Sequence, residues 1–309
     1  MNSNQVVRVS VFLLLATRLW AGATGQVQSI YFTTVSPPPN FGVPKNLKPY
    51  ESVFRAGLKS LPEGMLVNGA LALGGQSLGL TTQESTNLNS LLVTTYSRIS
   101  ADAVFSNLSS ALPYCFSPQR HTNGHYFISR PHAVSGKTPV IVFLHGYGGN
   151  FQFYVWALRE SLPEAIIICP SWNESWYGGS PRYVIEAVED ARRRFQFEST
   201  NLWLMGISAG GRAGFALYPQ LATPFRGYIC LASAPEAASI SRLKRETRIL
   251  MINGTSDPMA PIDFVRSQAA LIRRQVPTMR LEELPADHFF ILSQRERCFE
   301  MVREFYQSK

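Results

Sequence analysis

Residues 201–216, NLWLMGISAGGRAGFA, decide the fold, because an apolar segment runs directly into Gly206-Ile207-Ser208-Ala209-Gly210 and then into further small residues. The pattern Gly-x-Ser-x-Gly between a strand and a helix is typical of a sharp turn that leaves the serine hydroxyl exposed above a sheet. Only small side chains fit beside such a turn. The stretch therefore predicts a strand, a tight turn and a helix, with Ser208 as a candidate nucleophile. The alternative is a glycine-rich turn that carries an ordinary serine.

From about residue 123 onward, short β-branched segments alternate with segments of helical spacing. Several strand candidates are apolar throughout, as expected for parallel strands buried on both faces. This alternation predicts an α/β protein with a mostly parallel central sheet and helices on both faces. The predicted strands cover 125–129, 140–145, 165–169, 202–206, 226–233, 248–253 and 281–284, and the predicted helices lie near 151–161, 181–196, 209–219, 261–275 and 289–307.

A serine at its ordinary pKa is a poor nucleophile and needs a base that a third group holds in place. Of the five histidines, only His288 follows Ser208, in a loop before the C-terminal helix. Asp257 follows an apolar strand and is the predicted acid, which gives the chain order Ser208, Asp257, His288. Asp263 is the rival acid within the next helix, and Asp287 is interpreted as a loop or cap contact. Open α/β sheets place their sites at the carboxyl ends of strands, where all three candidates fall.

The segment His145-Gly146-Tyr147-Gly148-Gly149-Asn150 follows another apolar strand. A glycine-rich turn at a strand end can aim backbone N–H groups at a reacting carbonyl, so an oxyanion hole is assigned to the N–H groups of Tyr147 and Ala209. His145 is interpreted as a structural residue rather than the base. The loop after residues 165–169 contains three aromatic residues that are predicted to line the substrate pocket and to suit an aryl or sugar-bearing ester. These are Trp172, Trp176 and Tyr177.

The segments LHGYGGN and GISAGG resemble those of α/β-hydrolase serine esterases, and the resemblance covers about residues 120–309. Similar proteins include secreted polyhydroxyalkanoate depolymerases, feruloyl esterases, dienelactone-hydrolase-like enzymes and phospholipase/carboxylesterase-like enzymes. The resemblance implies a triad of Ser208, His288 and Asp257, an acyl-enzyme intermediate, no cofactor, and a small or polymer-linked ester as substrate. The alternatives are a serine peptidase of the same fold and a binding protein that keeps the fold without catalysis.

The N-terminus has the pattern of a signal peptide over residues 1–23. Arg8 precedes the apolar stretch Val9–Ala16, and Ala21-Gly22-Ala23 is a small-residue cleavage site. The stretch is too short to span a bilayer, so we expect a secreted or periplasmic protein without stable membrane insertion.

Residues 24–115 are predicted to form an N-terminal extension ahead of a catalytic domain at 116–309. Within it, residues 26–60 are proline-rich and have few periodic apolar positions, which is typical of a linker or a wrapping arm. Residues 82–111 have apolar side chains at helical intervals and predict one or two helices that cover the main domain.

The composition narrows the function classes. The 309 residues are 45% hydrophobic and 16% charged, which excludes wholesale disorder. The net charge of +8 comes without the aromatic–basic alternation that suits nucleic acids, so no nucleic-acid partner is expected, and the oligomeric state stays open. Cys115 and Cys298 are the most plausible disulfide pair, whereas Cys169 and Cys230 lie in strand-like segments. No Cys-x-x-Cys pair supports a metal site.

Overall fold

A computed structural model describes residues 26–39, 51–74, 80–116, 123–198, 200–221 and 225–308. Within these ranges the chain forms an eight-stranded sheet with strand order β1-β2-β4-β3-β5-β6-β7-β8. The first two strands are antiparallel to their neighbours, and all other pairs are parallel. The strands are β1 (Val27–Thr33), β2 (Asn123–Ser129), β3 (Val140–Leu144), β4 (Ile166–Pro170), β5 (Leu202–Ile207), β6 (Gly227–Leu231), β7 (Ile249–Gly254) and β8 (Arg280–Leu284).

Helices cover both faces of this sheet, which confirms the predicted fold class. They are α1 (Glu51–Ser60), α2 (Glu63–Gly74), α3 (Thr82–Ala101), α4 (Leu112–Cys115), α5 (Gln152–Ser161), α6 (Pro181–Phe195), α7 (Ala209–Leu217), α8 (Ala237–Ile240), α9 (Ile262–Gln275), α10 (Phe290–Ser293) and α11 (Arg295–Gln307). No described helix is long and apolar enough to cross a membrane. The predicted signal peptide lies outside the described residues.

Strand geometry divides the core into two layers, because successive side chains of a strand point to opposite faces. In β3, Ile141 and Phe143 join the core on one face, whereas Val140, Val142 and Leu144 join the core on the other. The first layer contains side chains from α3, α5 and α11, and the second contains side chains from α6, α7 and α9. Burial on both faces explains why these strands are apolar throughout.

The strand β1 corrects the interpretation of residues 26–60 as a linker. Residues Val27–Thr33 pair with Asn123–Ser129 along their full length and form an edge of the sheet. The sequence VQSIYFT lacks a continuous apolar run because several of its side chains are only partly buried or exposed at this edge. The proposed division of the chain at residue 115 stays a prediction.

The predicted Cys115–Cys298 disulfide is wrong. All four cysteines lie within the described ranges, and each is a buried free thiol. Cys115 packs in a small cluster with Leu112 and Phe116, whereas Cys298 packs in the larger core layer around α11. Each sulfur therefore serves as a small apolar group in a different cluster.

Candidate active site

The turn around Ser208 has the strained backbone that the Gly-x-Ser-x-Gly pattern predicts. Ser208 lies between β5 and α7 with φ 52° and ψ −119°, a region that is costly for a residue with a side chain. A Cβ on Gly206 would lie 2.5 Å from the Gly210 carbonyl oxygen, and a Cβ on Gly210 would lie 2.3 Å from that of Leu144. Close backbone contacts on both sides therefore require glycine at these two positions.

Ser208, His288 and Asp257 form a continuous chain of hydrogen bonds, although they are far apart in the sequence. The distance from Ser208 Oγ to His288 Nε2 is 2.9 Å, and that from His288 Nδ1 to Asp257 Oδ2 is 2.8 Å. The second oxygen of Asp257 accepts hydrogen bonds from the N–H groups of Met259 (2.8 Å) and Ala260 (2.9 Å). A buried carboxylate held in this way fixes the imidazole with its proton on Nδ1, so Nε2 is free to accept the serine proton.

The two other acid candidates have different partners. Asp263 lies in the first turn of α9, is almost fully exposed, and pairs with Arg266 at 3.2 Å. Asp287 accepts a hydrogen bond from the Phe289 N–H at 2.9 Å, as an Asx turn before α10 requires. Neither forms a hydrogen bond with His288 in the described structure.

His145 is a buried structural residue, as the sequence indicated. Its Nδ1 lies 2.8 Å from the Gly146 carbonyl oxygen, and its Nε2 accepts a hydrogen bond of 3.1 Å from the Trp172 N–H. Burial lowers the pKa of this imidazole to about 4, so the ring is neutral near pH 7. Two further bonds, from the N–H groups of Gly148 (2.6 Å) and Gly149 (3.1 Å) to the Glu174 carbonyl oxygen, join the same two loops.

The N–H groups of Tyr147 and Ala209 have no hydrogen-bond acceptor among the described residues. Both residues line one cleft of about 170 Å³ together with Ser208 and His288. Ala209 is the first residue of α7, where the amide lacks an acceptor within the helix and the helix dipole favours negative charge. Two unpartnered donors beside a hydroxyl can bind an oxygen that gains negative charge.

The two tryptophans do not line this cleft, which corrects their prediction as pocket residues. Trp172 and Trp176 are 2% and 0% exposed and stack on each other at 5.4 Å, in contact with Tyr183 of the second core layer. Tyr177, the next residue in the chain, is 57% exposed and lines the cleft. Position in a loop after a strand does not tell which side chains face the site.

Several cleft residues were missed by the sequence reasoning. Arg212, Met259, Ala260 and Phe264 line the cleft beside the predicted residues. A signal for Arg212 was available, because it follows Ser208 by one helical turn and must lie on the same side of α7. Among the described residues, no group of three His, Cys, Asp or Glu side chains is arranged to hold a metal ion.

A larger cavity of about 380 Å³ lies at the amino ends of β6 and β7, away from this cleft. Tyr218, Arg226, Arg242 and Lys244 are among the residues that line it. Its lining includes no serine, cysteine or histidine.

The strand order, the strained serine turn after β5 and the order serine, aspartate, histidine occur together in this chain. The chain has the α/β-hydrolase fold. No protein-family model matches it, and no curated protein matches it.

Three of the solved structures to which this chain is similar are the following. Acylaminoacyl peptidase from Pyrococcus horikoshii is 13% identical with a TM-score of 0.49, over 60% of this chain and 39% of that chain. A thermostable esterase is 16% identical with a TM-score of 0.46, over 62% of this chain and 60% of that chain. Est1E from Butyrivibrio proteoclasticus is 13% identical with a TM-score of 0.47, over 60% of this chain and 96% of that chain. This chain therefore spans well under half of the peptidase. The likeness concerns the fold.

Proposed function

We propose that this protein is a serine hydrolase that cleaves carboxylic esters through an acyl-enzyme intermediate. The observation that carries the proposal is the hydrogen-bonded chain from Ser208 through His288 to Asp257, which ends in a hydroxyl inside a cleft. A serine, a base and an orienting carboxylate in this order are the parts that acyl transfer requires.

In the first half of the reaction, Ser208 Oγ attacks the ester carbonyl carbon while His288 Nε2 takes the hydroxyl proton. The carbonyl oxygen becomes an oxyanion and accepts hydrogen bonds from the N–H groups of Tyr147 and Ala209. Asp257 stabilises the imidazolium and keeps the ring oriented. The intermediate collapses when His288 gives its proton to the leaving alcohol oxygen, which leaves the acyl group on Ser208.

In the second half, His288 Nε2 takes a proton from a water molecule as that water attacks the acyl carbon. The same two N–H groups stabilise the second oxyanion. Return of the proton to Ser208 Oγ releases the carboxylic acid and restores the resting site.

The cleft wall supports an ester with an aryl or apolar group. Tyr147, Tyr177 and Phe264 are about half exposed and line the cleft beside Ser208. Aromatic rings in this setting pack against apolar ligand surface. The amide alternative is tested by assaying anilides of the same acids next to the esters.

The test is the turnover of para-nitrophenyl acetate by wild type and by Ser208→Ala. We expect kcat to fall at least about 1,000-fold, because the variant lacks the attacking oxygen. Ser293→Ala is the matched control, since Ser293 is exposed on α10 and lies outside the cleft. Turnover by Ser208→Ala at a rate close to that of the control would refute the proposal.

We also propose that the protein is exported. The support is the pattern of Arg8, Val9–Ala16 and Ala21-Gly22-Ala23. The protein recovered from the periplasm or medium of an expressing bacterium should begin at Thr24. Recovery of the full-length chain from the cytosol alone would contradict export.

A further inference from the structure

The cleft contains an arginine that the proposed reaction does not use. Arg212 lies on α7 one helical turn after Ser208, and its backbone N–H donates to the Ser208 carbonyl oxygen at 2.9 Å. The side chain is half-buried and lines the cleft together with Ser208 and His288. A permanent positive charge therefore lies close to the reacting groups.

Most hydrogen-bond donors of this guanidinium are unused by the described protein. A guanidinium has about five N–H donors, and the described partner is the Tyr177 hydroxyl, which accepts from Nη1 at 3.2 Å. By contrast, Arg159, Arg194 and Arg266 each pair with a carboxylate. Arg212 forms no ion pair with a described carboxylate. Its planar fork is free to bind a ligand oxygen pair.

The surroundings favour an anion with an apolar body. The residues that line the cleft include no aspartate or glutamate. Two carboxylates lie outside this lining: Asp257 is bonded to His288, and Glu174 lies near Tyr147, whose phenol pKa is raised by burial and by that charge. Tyr177 and Phe264 supply apolar surface beside the guanidinium. An ester that carries a carboxylate next to an apolar or aryl group complements this cleft.

We propose that Arg212 is a specificity residue that binds a carboxylate of the substrate, so the enzyme prefers anionic esters over neutral esters of the same shape. The inference rests on the proposed ester hydrolysis. The carboxylate can be carried by the acyl group, as in half-esters of dicarboxylic acids, or by the alcohol, as in esters of hydroxybenzoates. In both cases the contact is the same guanidinium–carboxylate pair.

Two matched ester pairs distinguish these sources, since in each pair a methyl group replaces the carboxylate. The acyl pair is mono-para-nitrophenyl glutarate and para-nitrophenyl valerate. The alcohol pair is para-acetoxybenzoate and para-tolyl acetate. The measured quantity is the ratio of kcat/KM for the anionic ester to kcat/KM for its neutral match, in wild type, Arg212→Gln and Arg212→Lys.

We expect Arg212→Gln to lower this ratio about 10- to 100-fold in at least one pair, which is the usual effect of losing a charge-assisted hydrogen bond. Arg212→Lys should keep part of the preference, because it keeps the charge and loses the fork. A ratio within about threefold of wild type in both pairs for Arg212→Gln would overturn the inference.

A control variant distinguishes a local contact from a general effect of net charge. Arg273→Gln removes the same charge from the exposed end of α9, and it should leave both ratios at the wild-type value. A drop in the ratio for Arg273→Gln as large as that for Arg212→Gln would contradict a specific carboxylate contact.

A measurement on wild type keeps the inference falsifiable if Arg212→Gln does not fold. Raising the ionic strength should lower the anionic-to-neutral ratio in the pair that shows the preference, and a constant ratio in both pairs contradicts the inference. Failure of the proposed function looks different: wild type then cleaves none of the four esters, or Ser208→Ala cleaves them equally well.

Discussion

The described residues up to 116 (the earlier part) and those from 123 onward (the later part) share the two core layers, yet their sequences encode this packing in different ways. The later part uses apolar strands and a strained serine turn, both visible in the sequence. The earlier part uses an edge strand and helices whose partners lie far away in the chain, such as Leu92 in the same core layer as Phe290. The comparison teaches that local sequence patterns specify the candidate site residues, whereas contacts between residues far apart in the chain specify the packing around them.

Two contacts between the parts involve the start of α5 and the loop that precedes it. The carboxylate of Glu63 accepts hydrogen bonds from the Tyr96 hydroxyl at 2.8 Å and from the Gln152 N–H at 2.5 Å, at the start of α5. A Cβ on Gly149 would lie 3.1 Å from Leu112 Cδ2, so α4 packs directly under the turn that contains Tyr147. The earlier part therefore supports the proposed oxyanion donor.

The largest expected effect contrasts two glycines, one in each part. In Gly210→Ala the new Cβ would lie 2.3 Å and 2.4 Å from the carbonyl oxygens of Leu144 and His145, which the backbone cannot relieve. We expect a loss of more than about 4 kcal/mol in the free energy of unfolding. In Gly69→Ala the Cβ meets nothing within 4 Å, so a helix position should gain up to about 1 kcal/mol. The measurement is the denaturant unfolding of both variants. Similar losses in the free energy of unfolding for the two variants would contradict the contrast between the two parts.

A second pair tests the support of the Tyr147 turn. Leu112 and Leu71 are buried leucines of the earlier part, and only Leu112 lies against Gly149. Each change to alanine should lower the free energy of unfolding by about 2 to 5 kcal/mol. Leu112→Ala should also lower kcat about 10-fold, because small displacements of a stabilising donor slow the chemical step. Equal kcat values for the two variants, measured where both are folded, would show that the earlier part supplies stability alone.

The smallest effect concerns pH and the buried carboxylate that joins the two parts. Burial raises the pKa of Glu63 from 4.5 to about 7. Because the folded protein then holds this proton more tightly than the unfolded chain, the free energy of unfolding falls as pH rises from about 4.5 to about 7, by up to about 3 kcal/mol. Glu63→Gln should remove this fall. His145, with its lowered pKa, acts in the opposite direction in both proteins and cancels in the difference.

The measurement for Glu63 is the urea midpoint of wild type and Glu63→Gln across this pH range. The difference between the two curves should change with pH and then level off above about pH 7. Parallel curves would contradict a carboxylate that titrates inside the core.

Much of the fold was predictable from the sequence for physical reasons. The strands from β2 to β8 were all predicted within a few residues, and for β3 to β7 the reason is that burial on both faces requires apolar runs. The edge strand β1 was missed, since it is buried on neither face completely. The helix α2, which packs on α3, was also not predicted.

The sequence predicted those residues of the candidate site whose type is restricted by the proposed chemistry. It did not predict the residues that line the cleft, because these depend on how the loops pack. The meeting of Ser208, Asp257 and His288 followed from strand ends and chain order. The residues of the pocket wall did not, because Trp176 and Tyr177 are neighbours in one loop, yet Trp176 is buried in the core and Tyr177 lines the cleft. The position of Arg212 near Ser208 could have been predicted from helix geometry. The unused N–H donors of its guanidinium became known only from its hydrogen bonds in the structure.

Covalent labelling with a fluorophosphonate tests the central claim, that Ser208 is the activated nucleophile, most directly. The folded protein should gain one phosphonate on Ser208, located by peptide mass analysis, and ester turnover should disappear in step with labelling. The Asp257→Asn variant should be labelled far more slowly, because the His288 imidazole is no longer held in the productive tautomer. Ester turnover that persists while Ser208 stays unlabelled would contradict the account.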